Sequence, residues 1–167
     1  MTIVFPKQSI VKENLTEAFY KGAKSETDFK IGVEIEKLPV KKKTFQAVSY
    51  YETNGIRSFL QKLSEVDGWQ KDYLNGHLIG LNKDGNAITL EPGSQFEVAI
   101  SPKKTIQECE SFLEKYHQVT GKLASEMDFL WLGYGIQPLS TYNNIEVIPK
   151  NRYHLMGEYL PTKANEP

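Results

Sequence analysis

The chain has 167 residues, with 20 lysines and arginines against 21 aspartates and glutamates, which leaves a formal net charge of -1. This balance excludes recognition of nucleic acid or of an anionic membrane through bulk charge, and the length suits one domain with its own core. The single cysteine, Cys109, excludes an internal disulfide and a cysteine-based zinc site. The apolar runs are too short to span a membrane and the N-terminus lacks a signal-peptide pattern, so a soluble, cytoplasmic protein is expected.

The first elements predicted along the chain are a helix over residues 9–24 and a strand over residues 30–40. The residues available to one apolar face of this helix are Ile10, Leu15 and Phe19. The strand sequence, KIGVEIEKLPV, alternates apolar and polar side chains, which is typical of a half-buried strand. Its two carboxylates, Glu34 and Glu36, share one face. The simplest interpretation is that this face lies in water.

Two further helices are predicted from the spacing of apolar residues. The first lies in YYETNGIRSFLQKLSEV, residues 50–66, with Thr53 or Asn54 as its N-cap. Its buried face would consist of Ile56, Phe59, Leu60 and Leu63. The second and longest, residues 105–127, opens with a T-x-x-E capping box. Its buried stripe would consist of Ile106, Cys109, Leu113, Tyr116, Val119, Leu123 and Met127. We interpret Cys109 as a small core residue and not as a nucleophile.

Short strands are predicted between and after these helices. Residues 69–100 resemble a meander, because Asp84-Gly85 separates two apolar runs as a hairpin turn signal. The last strand of this meander is SQFEVAI, and residues 129–136 supply another strand that includes the small residues of a GYG segment. The remainder of the chain is rich in turns, and no internal repeat or domain boundary is visible.

A second acidic strand changes the interpretation of the first. In ITLEPGSQFEVAIS, Gln95, Glu97 and Ala99 share one face, and Glu91 precedes a turn that could aim it back over the sheet. If the two strands lie in one sheet, four glutamates converge: Glu34, Glu36, Glu91 and Glu97. Carboxylates brought together repel one another unless they are protonated or bridged by cations. Such a cluster implies a hard divalent metal, most naturally magnesium held together with phosphate oxygens.

The usual signatures of other enzyme classes are absent from the sequence. No Walker loop and no G-x-G-x-x-G after a strand is present, so a protein that uses ATP would hold its phosphates through metals and basic side chains on a sheet. Serine, histidine and aspartate are not arranged as a nucleophilic triad. A glycosidase with two glutamates as acid and nucleophile remains possible in principle, although the aromatic residues do not indicate a sugar groove.

Five motifs, in this order and approximate spacing, resemble the plant-type glutamate-cysteine ligases, a family that also occurs in bacteria and makes γ-glutamylcysteine for glutathione. The motifs are IGVEIEKLPV, YYETNGIRSFLQKL, ITLEPGSQFEVAISP, LGYGIQP and IPKNRYHLMGEYLP, and the resemblance runs from about residue 30 to residue 161. It implies an α+β fold of the glutamine synthetase-like superfamily. In that fold a curved, mostly antiparallel sheet backed by helices binds ATP and metals in its concave face.

The resemblance also implies roles for particular residues. The glutamates of the E-x-E and E-P-G-x-Q-F-E segments would be the magnesium ligands: Glu34, Glu36, Glu91 and Glu97. Gln95 and Arg152 match polar positions near the site and would contact substrate or phosphate, a role that suits the planar fork of arginine. An alternative for Arg152 is a salt bridge that anchors the PKNRY turn. Ser94 departs from the family, which commonly has glycine there, and would be strained at positive φ.

The implied reaction is an ATP-dependent ligation. Phosphoryl transfer from ATP activates the γ-carboxylate of glutamate, and the amine of cysteine attacks the resulting acyl phosphate. No covalent enzyme nucleophile is needed. The expected partners are therefore the small molecules ATP, glutamate and cysteine with Mg²⁺, and neither nucleic acid nor a membrane.

The chain is less than half as long as is usual in this family. Residues 1–167 are therefore expected to form the N-terminal part of a single catalytic domain. An incomplete sheet leaves an open edge, which favours self-association or pairing with a missing C-terminal half. Two alternatives stay open: another ATP-dependent carboxylate-amine ligase with a different amine acceptor, and a catalytically inactive half-domain that associates with a partner through its open edge.

Overall fold

The computed structural model describes residues 12–163. The chain divides into two compact units, Met1–Lys30 and Ile31–Pro167. The second unit contains the strands and the longest helix, and it carries all four glutamates singled out in the sequence.

In the first unit, the described residues form helix α1, Lys12–Gly22, followed by a short 3-10 turn. Helix α1 agrees with the helix predicted over residues 9–24. Phe19 is exposed and does not contribute to a buried face. Ile10 and the side chain of Leu15, which were predicted to share that face, lie outside the described part of the chain.

The described part of the second unit contains one open, six-stranded sheet. Its strands are β1 (Glu34–Lys41), β2 (Gln70–Leu74), β3 (His77–Lys83), β4 (Asn86–Leu90), β5 (Phe96–Ala99) and β6 (Phe129–Leu132). They are arranged in the order β2-β3-β4-β5-β1-β6, and every neighbouring pair is antiparallel. The prediction of an α+β fold with an antiparallel sheet is therefore confirmed.

The helices of this unit are α2 (Ile56–Asp67), α3 (Ile106–Glu126) and α4 (Asn151–Tyr159). α2 packs on β2, β3 and α3, and α3 also contacts β6. The four residues predicted for the buried face of α2 are all fully buried, and in the same core they meet Leu90, Phe96 and Val98 of the sheet. Burial of these apolar side chains is the main source of stability for the unit. It also fixes which face of the sheet remains available to polar groups.

Two local predictions are confirmed by backbone geometry. At the start of α3, the Thr105 hydroxyl accepts a hydrogen bond from the Glu108 N–H at 3.3 Å, and the Glu108 carboxylate accepts one from the Thr105 N–H at 3.1 Å. Hydrogen bonds from the backbone N–H groups of Thr105 and Lys104 to its carboxylate lower the pKa of Glu108. At the hairpin between β3 and β4, Asp84 and Gly85 have φ values of 51° and 76°, as a tight turn of this type requires. Cys109 is buried, in agreement with its interpretation as a core residue.

Three local predictions are wrong in detail. The N-cap of α2 is Gly55 and not Thr53 or Asn54, because a Cβ at this position would lie 2.1 Å from the Ser49 carbonyl oxygen. Ile106 is exposed, since it lies in the first turn of α3. The strand predicted over residues 129–136 ends at Leu132, before the glycines of the GYG segment, which are weak strand formers.

Candidate active site

Glutamates on two neighbouring strands lie directly opposite each other. β1 pairs with β5 so that Glu36 faces Glu97, and β5 pairs with β4 so that Glu97 faces Thr89. Residues opposite each other in an antiparallel pair project to the same face of a sheet. The Thr89 hydroxyl donates a hydrogen bond to Oε1 of Glu97 at 3.2 Å. Ile88 precedes Thr89 in β4 and Val98 follows Glu97 in β5, and both are buried in the core. The opposite face of the sheet therefore carries Glu36 and Glu97 with Thr89 beside them, and we call these three residues the carboxylate row.

The adjoining part of the same face carries small side chains and further carboxylates. Glu34 lies opposite Ala99, and Ala99 lies opposite Ala87. On the far side, Gly80 of β3 pairs with Asp72 of β2, and a Cβ on Gly80 would lie 2.7 Å from the Ile88 carbonyl oxygen, so glycine here allows close approach of the neighbouring backbone. The short side chains of Ala87 and Ala99 leave room above the backbone for a bound molecule. Asp72 is a carboxylate that sequence reasoning missed, because it lies in a strand without an alternating pattern.

Electrostatics shows which of the predicted glutamates come together. The pKa of Glu36 is raised above its ordinary value of 4.5, first by burial and then by the negative charges of Glu91 and Glu97. Glu91 and Glu97 therefore lie close enough to act on Glu36, and Glu34 lies on the same face one pair further along β1. The two acidic strands, β1 and β5, are neighbours in one sheet, as the predicted convergence of the glutamates requires.

The donor set on this face consists of carboxylate and hydroxyl oxygens, which suit a hard divalent cation. Within residues 12–163, no three histidine, cysteine, aspartate or glutamate side chains are arranged so that they could hold a metal ion by themselves. The oxygen chemistry and the mutual repulsion at Glu36 nevertheless fit a bound cation. The metal role of the four glutamates stays a prediction.

The turn between β4 and β5 places Glu91 beside Gln95. The Glu91 N–H donates to the Gln95 carbonyl at 3.0 Å, and the Gln95 side-chain oxygen accepts a hydrogen bond from the Gly93 N–H at 2.7 Å. Ser94 is buried and has a φ of 69°, so the strain predicted for a serine at this position is present. Among the described residues its hydroxyl has no hydrogen-bond partner. The backbone carbonyl and the side-chain oxygen of Gln95 thus stabilise the turn that contains Glu91.

Arg152 lies in the first turn of helix α4, close to the turn between β4 and β5 that contains Glu91. Its Nη2 atom is 3.7 Å from Oε1 of Glu91, and the guanidinium also donates a hydrogen bond to the Tyr153 hydroxyl. The pKa of Arg152 is raised, first by that hydrogen bond and also by Glu91 and Glu97. The structure therefore brings Arg152 to the carboxylates, and the salt bridge considered as an alternative is made with one of them.

Lys150 is a second basic residue at this place, and sequence reasoning missed it. Only 8% of its surface is exposed, and its ammonium group donates to the Leu90 carbonyl at 2.8 Å. Its pKa is lowered by burial first and then by Arg152, whereas Glu91, Asp72 and Glu97 act in the opposite direction. The signal that could have found it is its position two residues before Arg152 in the PKNRY segment.

The raised pKa of Glu36 predicts a specific dependence of stability on pH. The folded state holds this proton more strongly than the unfolded state, so the free energy of unfolding should fall as the pH rises from 4.5 through the higher pKa of the folded state. Glu36→Gln should remove this part of the fall and increase stability at neutral pH. Urea titrations between about pH 4 and about pH 8 measure the effect. Glu114→Gln, at an exposed position of α3, is the control, and identical pH profiles for both variants would contradict the prediction.

The fold and the site define an α+β domain whose antiparallel sheet has a helix-covered apolar face and a face rich in carboxylates. The model of glutamate-cysteine ligase family 2 matches residues 30–165. The chain is 33% identical over 155 residues to glutamate-cysteine ligase A, chloroplastic, of Oryza sativa subsp. japonica, which covers 92% of this chain and 31% of the relative. It is 33% identical over 159 residues to the chloroplastic glutamate-cysteine ligase of Nicotiana tabacum, covering 95% and 30%. For that of Arabidopsis thaliana the identity is 31%, with the same coverage.

The chain belongs to glutamate-cysteine ligase family 2. It spans about a third of the length of the curated relatives that it matches. The expectation of a cytoplasmic location is wrong by this comparison, because the relatives from rice, tobacco and Arabidopsis are named as chloroplastic proteins. In the part of the chain that the structure describes, no helix is long and apolar enough to cross a membrane.

Proposed function

We propose that this chain contributes the carboxylate-rich sheet face of an ATP-dependent ligase that joins the γ-carboxylate of glutamate to the amine of cysteine. The observation that carries the proposal is the carboxylate row, with Glu91 beside it, in a member of a family named for this reaction. Because the chain spans about a third of its relatives, we further propose that residues 1–167 are the N-terminal part of the catalytic domain.

In this proposal, the oxygen ligands for Mg²⁺ are supplied by Glu34, Glu36, Glu91 and Glu97. When bound, the cation would neutralise charge on the phosphates of ATP. Arg152, already next to a carboxylate, would bind a carboxylate or phosphate group of the substrates through its planar fork. The side-chain Nε2 group of Gln95 would donate to a substrate or phosphate oxygen, while its Oε1 keeps the turn in place.

The reaction needs positioning more than covalent chemistry from the protein. A γ-carboxylate oxygen of glutamate attacks the terminal phosphorus of ATP, and ADP leaves. The cysteine amine then attacks the acyl carbon, loses a proton, and inorganic phosphate leaves. Holding two anionic reactants together requires cations at their oxygens and a surface on which small residues allow close approach. Ala87 and Ala99 provide such a surface beside the carboxylate row.

Release of ADP by this chain tests the proposal. With Mg²⁺ and ATP, we expect release that requires both glutamate and cysteine. Glu97→Gln should decrease it by about 10- to 100-fold or more, since loss even of a group that only supports a metal ligand has effects of this size. Glu114→Gln should retain the original rate. Release from wild type that does not change in Glu97→Gln would contradict the role of the carboxylate row.

A binding measurement separates the cation site from the activity. A cation that binds only the folded state raises the thermal unfolding midpoint according to its concentration and dissociation constant. We expect MgCl₂ to raise the midpoint of the wild-type chain more than that of Glu97→Gln. Equal shifts in the two proteins would overturn the metal assignment, whether or not the chain releases ADP.

Association through an open sheet edge is a second candidate function. β2 and β6 are the outermost strands in the described sheet, and every residue of β2 is exposed. An exposed edge strand presents backbone donors and acceptors to another chain. Sedimentation at increasing protein concentration tests this alternative, which self-association without any ADP release would favour over the ligase.

A further inference from the structure

The Leu90 carbonyl oxygen is a junction between the sheet and helix α4. Leu90 is the last residue of β4 and immediately precedes Glu91. Its carbonyl accepts a hydrogen bond from Nζ of Lys150 at 2.8 Å and a second from the hydroxyl of Tyr153 at 3.1 Å. Both donors are almost fully buried, with 8% and 5% of their surfaces exposed. Two side chains around the start of one helix therefore hold the same backbone atom.

A buried lysine is costly unless its charge is compensated. Burial and the charge of Arg152 lower the pKa of Lys150, and the charges of Glu91, Asp72 and Glu97 offset only part of this effect. The ammonium group also donates to the Leu90 carbonyl and lies 5.7 Å from the centre of the Tyr153 ring. Asp72 and Glu97 lie on the carboxylate face and Glu91 lies in the turn beside it, whereas Leu90 and Tyr153 belong to the apolar core. The burial of Lys150 is thus linked to the proposed active site.

Tyr153 connects the same junction to Arg152. The guanidinium of Arg152 donates a hydrogen bond to the Tyr153 hydroxyl and lies 4.6 Å from the centre of that ring. Glu91, on the other side of the ion pair, follows Leu90 directly in the chain. Both members of the pair between Arg152 and Glu91 are therefore tied to one carbonyl group. The side chain of Arg152 is itself 63% exposed, so these contacts restrict a group that would otherwise be mobile.

We propose that Lys150 and Tyr153 are positioning residues which, through their shared hydrogen bonds to the Leu90 carbonyl, hold Arg152 in place beside Glu91 for substrate binding. Substrate binding by Arg152 rests on the proposed function, whereas the restriction of its side chain does not. Neither residue is needed to touch the reacting atoms. They fix the direction of the guanidinium, which matters because a planar donor fork binds an anion only in one orientation.

The restriction of Arg152 can be measured without any ligand. In the ¹⁵N-labelled chain, relaxation of the Arg152 Nε–H reports the order of its side chain. Tyr153→Phe keeps the ring and removes the hydroxyl, so we expect the order parameter of this group to fall. Tyr159→Phe, on the same helix with 58% of its surface exposed, should leave it unchanged. A role limited to stability would lower the unfolding midpoint of Tyr153→Phe without a change in Arg152 order, and this result would overturn the proposal.

Glutamate affinity, measured by titration calorimetry, tests the consequence for binding. If wild type binds glutamate, Tyr153→Phe should weaken it by about tenfold, the effect of one lost hydrogen bond to a positioned charge, and Tyr159→Phe should not. An unchanged affinity in Tyr153→Phe would overturn the positioning role in binding. If the wild-type chain binds no glutamate, the proposed function fails for this chain, and the relaxation result still decides whether Arg152 is held. Lys150→Met should reproduce the loss of Arg152 order if it folds.

Discussion

Phe59→Ala is expected to lower the free energy of unfolding by about 3–5 kcal/mol, the range for removal of a buried aromatic side chain. Phe59 is fully buried, and its ring centre lies 5.3 Å from that of Phe96, 5.4 Å from that of Phe129 and 5.1 Å from that of Trp131. These contacts join α2 to β5 and β6, so the substitution removes both apolar area and several edge-to-face ring contacts.

Urea unfolding followed by circular dichroism measures this loss. Val66→Ala is the matched control, because Val66 lies on the same helix with 64% of its surface exposed and should change stability by no more than about 0.5 kcal/mol. A loss in Phe59→Ala as small as that of the control would contradict the assigned core. The core also supports the site, since Phe96 lies between Gln95 and Glu97 on β5 and anchors that strand from the apolar side.

Gly55→Ala is expected to destabilise the protein by about 2–3 kcal/mol, as overpacking against a fixed backbone does. A Cβ at this position would lie 2.1 Å from the Ser49 carbonyl oxygen and 2.9 Å from that of Glu52. These carbonyls accept hydrogen bonds from the N–H groups of Ile56, at 3.1 Å, and of Gly55 itself, at 2.9 Å. The segment cannot move away from the new methyl group without weakening these bonds at the start of α2.

Gly121→Ala provides a matched comparison with the opposite expected sign. Gly121 lies within α3, and a Cβ there would meet no atom within 4 Å. Because alanine loses less conformational entropy than glycine in a helix, this variant should be more stable by about 0.5–1 kcal/mol. The two variants make the same chemical change, and urea unfolding of both measures the difference. A Gly55→Ala variant as stable as Gly121→Ala would show that the close contact at Gly55 is not present.

Some features of the site could be predicted because they depend on alternation within single strands. The two-residue period of β1 and of β5 is sufficient to place Glu34 with Glu36, and Gln95 with Glu97, on the polar faces of their strands. The alignment of Glu36 with Glu97 could not be predicted, since the register of two strands far apart in the sequence depends on packing of the whole sheet. Asp72 could not be predicted from periodicity because its strand does not alternate, and Lys150 could not because it lies at the N-cap of a helix, outside any strand.

Elements whose stabilising contacts are local could be predicted from the amino-acid sequence. The capping box of α3, the turn at Asp84 and Gly85, and the buried face of α2 are all encoded within a few neighbouring residues, and the structure has each of them. The family motifs likewise identified the class of protein before any geometry was known. Where a prediction was wrong, as at the N-cap of α2, the deciding contact was the approach of the Ser49 carbonyl, which no local preference reports.

The interactions between the polar residues of the site depend on the tertiary structure. Charges interact through space, so the raised pKa of Glu36 and the lowered pKa of Lys150 depend on groups from β2, β5, α4 and the turn after β4 that are separated along the chain. The same holds for the Leu90 carbonyl, which receives donors from Lys150 and Tyr153. Local patterns specify helices and tight turns because the hydrogen bonds and side-chain contacts of these elements join residues that are close together in the sequence. An active site depends on contacts between residues that are far apart in the sequence, and these contacts form only when the sheet and its helices pack together.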